Sequence, residues 1–247
     1  MGRPRLDATA AARYQENGYH LFRAPVLSPD KFAALTALFE EMVAANPGRR
    51  TDTFDTPHFH EPRLFPFLLD DAVIDLVEPL IGPNIGLWSS HFISKEPGIG
   101  RRTPWHTDAD YWAGRFDRYD SIVTVWLAID ASDRENGCMK VIPGSHRSAT
   151  NAYADVDTEA NLFPTEIRPE DVREEDAVYF ELAPNQCSLH DSRIIHGAEA
   201  NTSARRRCGY TMRYFDMAMR VIPERNPGHK LWLCRGENVA GNPIENG

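Results

Sequence analysis

Four side chains stand out by type and spacing: His106 and Asp108 in Trp105-His-Thr-Asp108, His196 ninety residues further on, and Arg207 eleven beyond that. Two imidazoles and one carboxylate that leave coordination positions open are the donor set of mononuclear non-haem Fe(II) sites that handle oxygen. A His-x-acid pair alone carries little weight. With nine His and 36 acidic residues in 247, roughly one such pair is expected by chance, and the chain has one.

Spacing adds a constraint. If residues 103–108 are extended, Pro104, His106 and Asp108 share one face, because residues two apart in a strand point the same way. His106 and Asp108 can then bind one ion, with the third ligand coming from a distant strand of a rigid barrel. Ile194-Ile195-His196 reads as the end of such a strand. An Fe(II) site of this type needs an electron-donating co-substrate. 2-Oxoglutarate offers its 1-carboxylate and 2-oxo group to the metal and a 5-carboxylate at the far end, which a guanidinium grips through two parallel charged hydrogen bonds. Arg207 opens an alternating run through Phe215 that reads as a strand able to pair beside the one carrying His196. Arg205 and Arg206 adjoin it, and a slip of one residue would turn Arg207 outward, so the choice among the three rests on register.

Longer motifs occur in order: Thr103-Pro-Trp-His-Thr-Asp-Ala-Asp-Tyr-Trp112, Val125-Trp-Leu-Ala-Ile129, Glu135-Asn-Gly-Cys-Met-Lys-Val-Ile-Pro-Gly-Ser-His146 and His196-Gly-Ala-Glu-Ala-Asn-Thr-Ser203. Over about residues 85–216 the chain resembles the phytanoyl-CoA dioxygenase family of Fe(II)/2-oxoglutarate-dependent oxygenases. The resemblance implies iron ligands at His106, Asp108 and His196 and a 2-oxoglutarate arginine at Arg207. It also implies co-substrate contacts at Trp126, Lys95, His91 and Thr103. Gly-Ala-Glu at 197–199 departs from the Gly-Ser-Gly common in relatives, which bears on the loop after the ligand and not on the ligand. Relatives that halogenate carry a small residue at the carboxylate position, so Asp108 favours hydroxylation or another oxidation. The implied reaction consumes O₂ and 2-oxoglutarate, releases succinate and CO₂, and hydroxylates an unactivated C–H bond of a small organic molecule.

Other histidines are read differently. His190, six residues before His196, is expected to be packed or hydrogen-bonded rather than a metal ligand, and His58-Phe-His60, whose spacing could also bind metal, is flanked by Pro57 and Pro62 and expected in a loop at the pocket edge or on the surface. Trp126 also suits a barrel core, and Lys95 a solvated strand. Tyr111, Trp112, His60, Arg213 and a 144–170 insertion are expected to wall the substrate pocket. No basic cluster suits the phosphates of coenzyme A, so a small natural-product-like molecule is expected ahead of an acyl-CoA. The competing reading is a metal-dependent cupin-like isomerase or hydrolase without 2-oxoglutarate, against which Arg207 and Trp126 argue. A non-catalytic binding barrel would have no need of all three ligands.

A net charge of −9 argues against a nucleic-acid or anionic-membrane partner, which would need a basic stripe. Cys138, Cys187, Cys208 and Cys234 form no close metal-binding pair, and free thiols fit a reducing cytoplasm. The N-terminal residues lack an apolar leader-like run, and no stretch approaches the ~18 apolar residues of a spanning helix.

Helices are expected from Asp7 to about Asn17, from Ser28 with Pro29 at its first position and Phe32, Leu35, Leu38 or Phe39 and Met42 on the buried face, and over about 70–81. Strands are expected at 85–94, 103–108, 121–129, 138–142, 177–182, 186–190, 193–196 and 207–216. Helices followed by short strands with Gly/Pro turns indicate a mainly β protein with flanking helices, a double-stranded β-helix or cupin-like jelly roll. At 247 residues one domain suffices, with 1–84 as helical support, 85–216 as the jelly-roll core and 217–247 as a C-terminal extension.

Overall fold

The first helices form where the sequence caps them. The computed structural model describes residues 4–148 and 151–245, so residues 149–150 of the expected insertion and the outermost residues of the expected domain lie outside the described residues. Helix α1 (Ala8–Asn17) starts at Asp7, whose carboxylate accepts the Ala10 N–H at 2.7 Å, and ends at Gly18 in the left-handed region. Strand β1 (Tyr19–Phe22) follows, then α2 (Pro29–Ala44), which starts at Ser28 and buries Leu35, Leu38 and Phe39, with Phe32 and Met42 packed at the edge of that core. After β2 (Phe54–Asp55) and the single turn α3 (Phe65–Leu68) comes α4 (Asp71–Ile81), capped by Asp70 on the Ala72 N–H.

The remaining chain is mainly β3 (Ile85–Lys95), β4 (Thr103–His106), a helical turn α5 (Asp108–Tyr111), β5 (Ile122–Ala128), β6 (Met139–Val141), the hairpin β7 (Tyr153–Asp155) and β8 (Thr165–Ile167), β9 (Val178–Tyr179), β10 (Cys187–Asp191), β11 (His196–Ala198), β12 (Arg207–Asp216) and β13 (Trp232–Arg235). A seven-stranded sheet runs β1-β10-β5-β12-β3-β13, with β2 also on β3, and a four-stranded sheet runs β4-β11-β6-β9. The large sheet takes β1 from the segment before residue 85 and β13 from the segment after 216. The expected 177–182 strand is reduced to β9, and the hairpin occupies the expected insertion.

The large sheet has two faces of different chemistry. Val123, Val125 and Leu127 of β5 and Cys208, Tyr210, Met212 and Tyr214 of β12 pack with α2 and α4 in the main hydrophobic core. The alternate residues, Thr124 and Trp126 of β5 and Arg207, Thr211 and Arg213 of β12, line a cavity instead. The main core therefore lies outside the sheet pair, under the helices. Among the described residues no helix is long and apolar enough to cross a membrane.

All four thiols are unpaired. Burial pushes Cys138 up to about 11 and Cys234 up to about 12, and it raises Cys187 and Cys208 as well. The folded chain thus keeps thiol protons that the unfolded chain loses above its ordinary thiol pKa, so folding stability should fall as pH rises from about 8.5. The expected outcome is a lower urea midpoint at pH 10 than at pH 8, together with slow reaction of native thiols with a disulfide reagent. Rapid titration of all four thiols in the native protein would contradict this burial.

Candidate metal and co-substrate site

Strand β4 and its partner β11 set two imidazoles side by side: His106 and His196 are direct antiparallel partners, with ring centroids 4.1 Å apart and ring planes inclined at 47°. The Nδ1 of His106 lies 2.8 Å from the Pro104 carbonyl and that of His196 lies 3.0 Å from the Ile194 carbonyl. The same device, a carbonyl two residues back, assigns the proton to Nδ1 in each ring and leaves Nε2 as the free donor. Burial, with His196 next to it, holds His106 down to about 3, so it is neutral and ready to ligate.

Asp108 is not part of the strand. β4 stops at His106, and the Thr107 hydroxyl accepts the Asp110 N–H at 3.1 Å, starting the turn α5. The expected alternation through 108 is therefore replaced by a capped turn, which still swings the carboxylate toward the imidazoles. One donor atom each from His106, Asp108 and His196 lies within 4.8 Å of the others, and all three residues are buried. Burial tends to raise the Asp108 carboxyl, but Arg213 and the surrounding imidazoles outweigh it and hold the pKa below its ordinary value. Arg213 Nε is 3.9 Å from Asp108 Oδ2, and the Thr124 hydroxyl is 3.5 Å from the same oxygen.

His196 begins β11 rather than ending a strand, because residues 192–195 form the turn before it. β12 does not pair beside β11 either. It runs between β5 and β3 in the large sheet and faces the small sheet across the cavity. That cavity, about 600 Å³, is lined by the three candidate ligands and by Arg207, Trp126, Lys95, His91 and Thr103.

Register separates the three arginines. Arg205 pairs with Asp133 and Glu135, and Arg206 with Asp130 and Glu40. Arg207 alone turns inward, 2% exposed, with its guanidinium carbon 5.3 Å from the centre of the Trp126 ring. It makes no ion pair among the described residues, and its buried Nε lacks a hydrogen-bond partner. Burial lowers its pKa to about 10, leaving it cationic at neutral pH. A desolvated guanidinium with open donors fits a carboxylate, and two imidazoles with one carboxylate fit Fe(II).

The other candidates divide. Lys95, opposite Arg207 in the β3–β12 register, is buried and donates to the Ala198 and Glu199 carbonyls, tying the large sheet to the small one. Burial and Arg207 hold its pKa well below the ordinary lysine value. His91 Nε2 donates to the Asp52 carbonyl at 2.9 Å, and Thr103 pairs with Ala198. Tyr111, Trp112 and Arg213 line the cavity, as do Leu162, Phe163 and Pro164 of the insertion. His60 does not: it is exposed beyond the short helical turn Pro57–Phe59. His58 is buried against Phe59, Phe65 and Trp232, with Nδ1 2.7 Å from the Ser90 hydroxyl. His190 also borders the cavity, its ring 5.3 Å from that of His196. Trp88, Arg115, Thr124, Thr211 and His229 line it too, though no motif singles them out. For Thr124 and Thr211 the alternation of β5 and β12 was a usable signal.

Two facing sheets with a buried His/Asp/His cluster between them make this a double-stranded β-helix protein. The family model for phytanoyl-CoA dioxygenase matches residues 14–209, and the chain belongs to that family. A phytanoyl-CoA dioxygenase domain-containing protein 1 homolog of Caenorhabditis elegans is 27% identical over 186 residues, which are 73% of this chain and 62% of that protein, so the chain spans less than two thirds of this relative. Among solved structures, the non-heme monooxygenase ThoJ superposes with a TM-score of 0.78 at 23% identity, covering 96% of this chain and 87% of that one. SnoK, a non-heme alpha ketoglutarate dependent carbocyclase from nogalamycin biosynthesis, superposes with a TM-score of 0.72 at 24% identity, covering 90% of each chain. At these identities the superpositions establish the fold.

Gly209 lies against Trp126: a Cβ added there would stand 2.1 Å from ring atoms of Trp126. The indole must shift to admit it. Gly209→Ala is expected to lower stability by about 1–3 kcal/mol, the range for overpacking, as read by urea denaturation; an unchanged midpoint would show that the ring relaxes freely.

Proposed function

We propose that the protein is an Fe(II)- and 2-oxoglutarate-dependent dioxygenase that hydroxylates an unactivated C–H bond of a small organic molecule. One observation carries the reading: three convergent metal donors and a buried arginine without an ion pair among the described residues line one cavity. Bound Fe(II) and 2-oxoglutarate would supply the oxidative chemistry, consuming O₂ and yielding succinate and CO₂. The protein's part is positioning. His106, Asp108 and His196 hold the metal, and the hydrogen bonds at both Nδ1 atoms keep each Nε2 aimed without reorientation. Arg207 grips the 5-carboxylate, with Trp126 beneath its guanidinium and Lys95, His91 and Thr103 along the same walls. Phe163, 4.9 Å from the His106 ring and stacked 5.6 Å from Tyr111, shields the ligand face from water. Membership of the family and the likeness to an alpha ketoglutarate dependent enzyme support the co-substrate assignment, and an isomerase or hydrolase would have no use for Arg207. The unpaired thiols suit a reducing cytoplasm.

The test is anaerobic addition of Fe(II) and then 2-oxoglutarate, watching for the weak visible charge-transfer band of a chelated 2-oxo acid. The band is expected in the wild type and should be lost in His196→Ala. Alanine at His106 or Asp108 should abolish succinate release. Arg207→Lys should chiefly raise the 2-oxoglutarate requirement, by about tenfold or more, since a point charge replaces a fork. Folded, iron-loaded protein without the band would defeat the reading.

A further inference from the structure

The polar atoms left unpaired around the cavity are nearly all donors. Among its lining residues the buried side-chain nitrogens without a hydrogen-bond partner are Trp88 Nε1, Arg101 Nε, His190 Nδ1, Arg207 Nε and Arg213 Nε. Four of these five can only donate. Buried donors are normally satisfied, so an unpaired set facing a cavity implies an occupant rich in acceptors. The 5-carboxylate of 2-oxoglutarate accounts for Arg207. It does not account for Arg213, three alternations further along β12, or for Trp88.

Those two are placed by a bulge. Arg213 pairs with Ser89 and Tyr214 with Leu87, so Trp88 is the extra residue on β3. A bulge re-aims side chains, and here it brings Trp88 against Trp112, ring centroids 4.4 Å apart. Each indole carries a guanidinium: Arg213 lies 5.2 Å from the Trp112 ring centre and Arg115 lies 5.8 Å from that of Trp88. The Arg213 side chain is only 11% exposed. Its one ion pair among the described residues, at 3.9 Å, is with Asp108, the carboxylate needed by the metal. Its one side-chain hydrogen bond among the described residues is a long one, 3.4 Å, to the Ser89 hydroxyl. The cavity's remaining carboxylates are occupied elsewhere, Asp52 by Arg50 and Asp55 beside His91. With Asp108 committed to a metal, Arg213 is a desolvated cation without a counter-ion, a costly state unless an anion binds.

We infer that the primary substrate carries a carboxylate-class anionic group held by Arg213 and Arg115, with a flat apolar body against Trp88, Trp112, Tyr111 and Phe163. This rests on the proposed dioxygenase reading and narrows its substrate class. The anion anchors one end of the substrate next to the metal ligands, so the C–H bond presented for oxidation lies a few bonds from the anionic group.

Calorimetric titration of the anaerobic Fe(II) protein, saturated with 2-oxoglutarate so that Arg207 is filled, tests it with two probes of one shape: 3-phenylpropanoate and 3-phenylpropanamide. The acid is expected to bind about tenfold or more tightly than the amide. Arg213→Gln should remove that preference and Arg213→Lys keep part of it, with the charge-transfer band still present in both. Should Arg213→Gln lose the band through its contact with Asp108, Arg115→Gln carries the test, with the expected outcome a reduced preference and an intact band. Equal binding of acid and amide, no acid binding at millimolar concentration, or an undiminished preference in the variant that keeps the band overturns the inference. Absence of the band in the wild type is the separate result that defeats the dioxygenase reading itself.

Discussion

The register of β12 is the constraint on which the rest of the molecule depends. Its period-two alternation sends Arg207, Thr211 and Arg213 into the cavity and Cys208, Tyr210, Met212 and Tyr214 into the helix-backed core. A slip of one residue would exchange the two sets, driving two guanidiniums into apolar surroundings at several kcal/mol each. The core side enforces the choice. Tyr210 stacks on Phe92 with ring centroids 4.1 Å apart and donates to the Ser90 hydroxyl, and the Tyr214 hydroxyl donates to the Leu68 carbonyl at 2.7 Å. These buried tyrosines have partners only in the native register, so the face without chemistry holds the chemical face in place.

The second requirement is that two sheets stay at a fixed separation, because the candidate metal ligands sit on the small sheet and Arg207 on the large one. Three-residue strands such as β6 and β11 offer little pairing of their own. Side chains bridge the gap instead. Lys95 reaches from β3 to two carbonyls at the end of β11, and Thr124 and Arg213 approach Asp108 from the large sheet. Lys140, 1% exposed on β6, lies 4.6 Å from the Trp105 ring centre and pairs with Glu174 and Glu199, fastening the segment after the hairpin to the small sheet. Glu199, which follows Gly197 and Ala198 directly after the candidate ligand His196, is one of the two carboxylates that hold that buried cation.

Much of this was legible in the sequence, for identifiable reasons. The three helices announced themselves through Asp7, Ser28 and Asp70, whose side chains cap locally and need no tertiary context. β12 was readable to its ends because alternation persists over ten residues. The candidate ligand set was legible as types and order, but the reason its side chains converge was not. Residues 103–108 alternate in sequence, yet Thr107 caps a turn, a local hydrogen bond that overrides the strand pattern. The placement of β12 opposite β11 was hidden because adjacency in sequence suggests pairing, whereas the eight residues between them cross from one sheet to the other. Trp88 and Arg115 were invisible as site residues: the first is turned inward by a bulge set by pairing geometry, and the second lies in a loop whose position depends on Tyr119 and Asn226. His60 stands on the surface and not on the cavity wall, because a proline-flanked loop has no periodicity from which its facing could be read.

Stability and chemistry are therefore divided between the two faces of one sheet. A barrel interior filled with donors, imidazoles and guanidiniums contributes little hydrophobic stabilisation, and the unsatisfied groups in it are a cost. The compensating apolar burial lies under α2 and α4, where Leu35, Phe39, Ile74 and Val77 share one core with the outward side chains of β5 and β12. The N-terminal helices are in this sense part of the site: they contact no candidate ligand, but without them the large sheet would have no dry face, and nothing would oblige Arg207 and Arg213 to face inward.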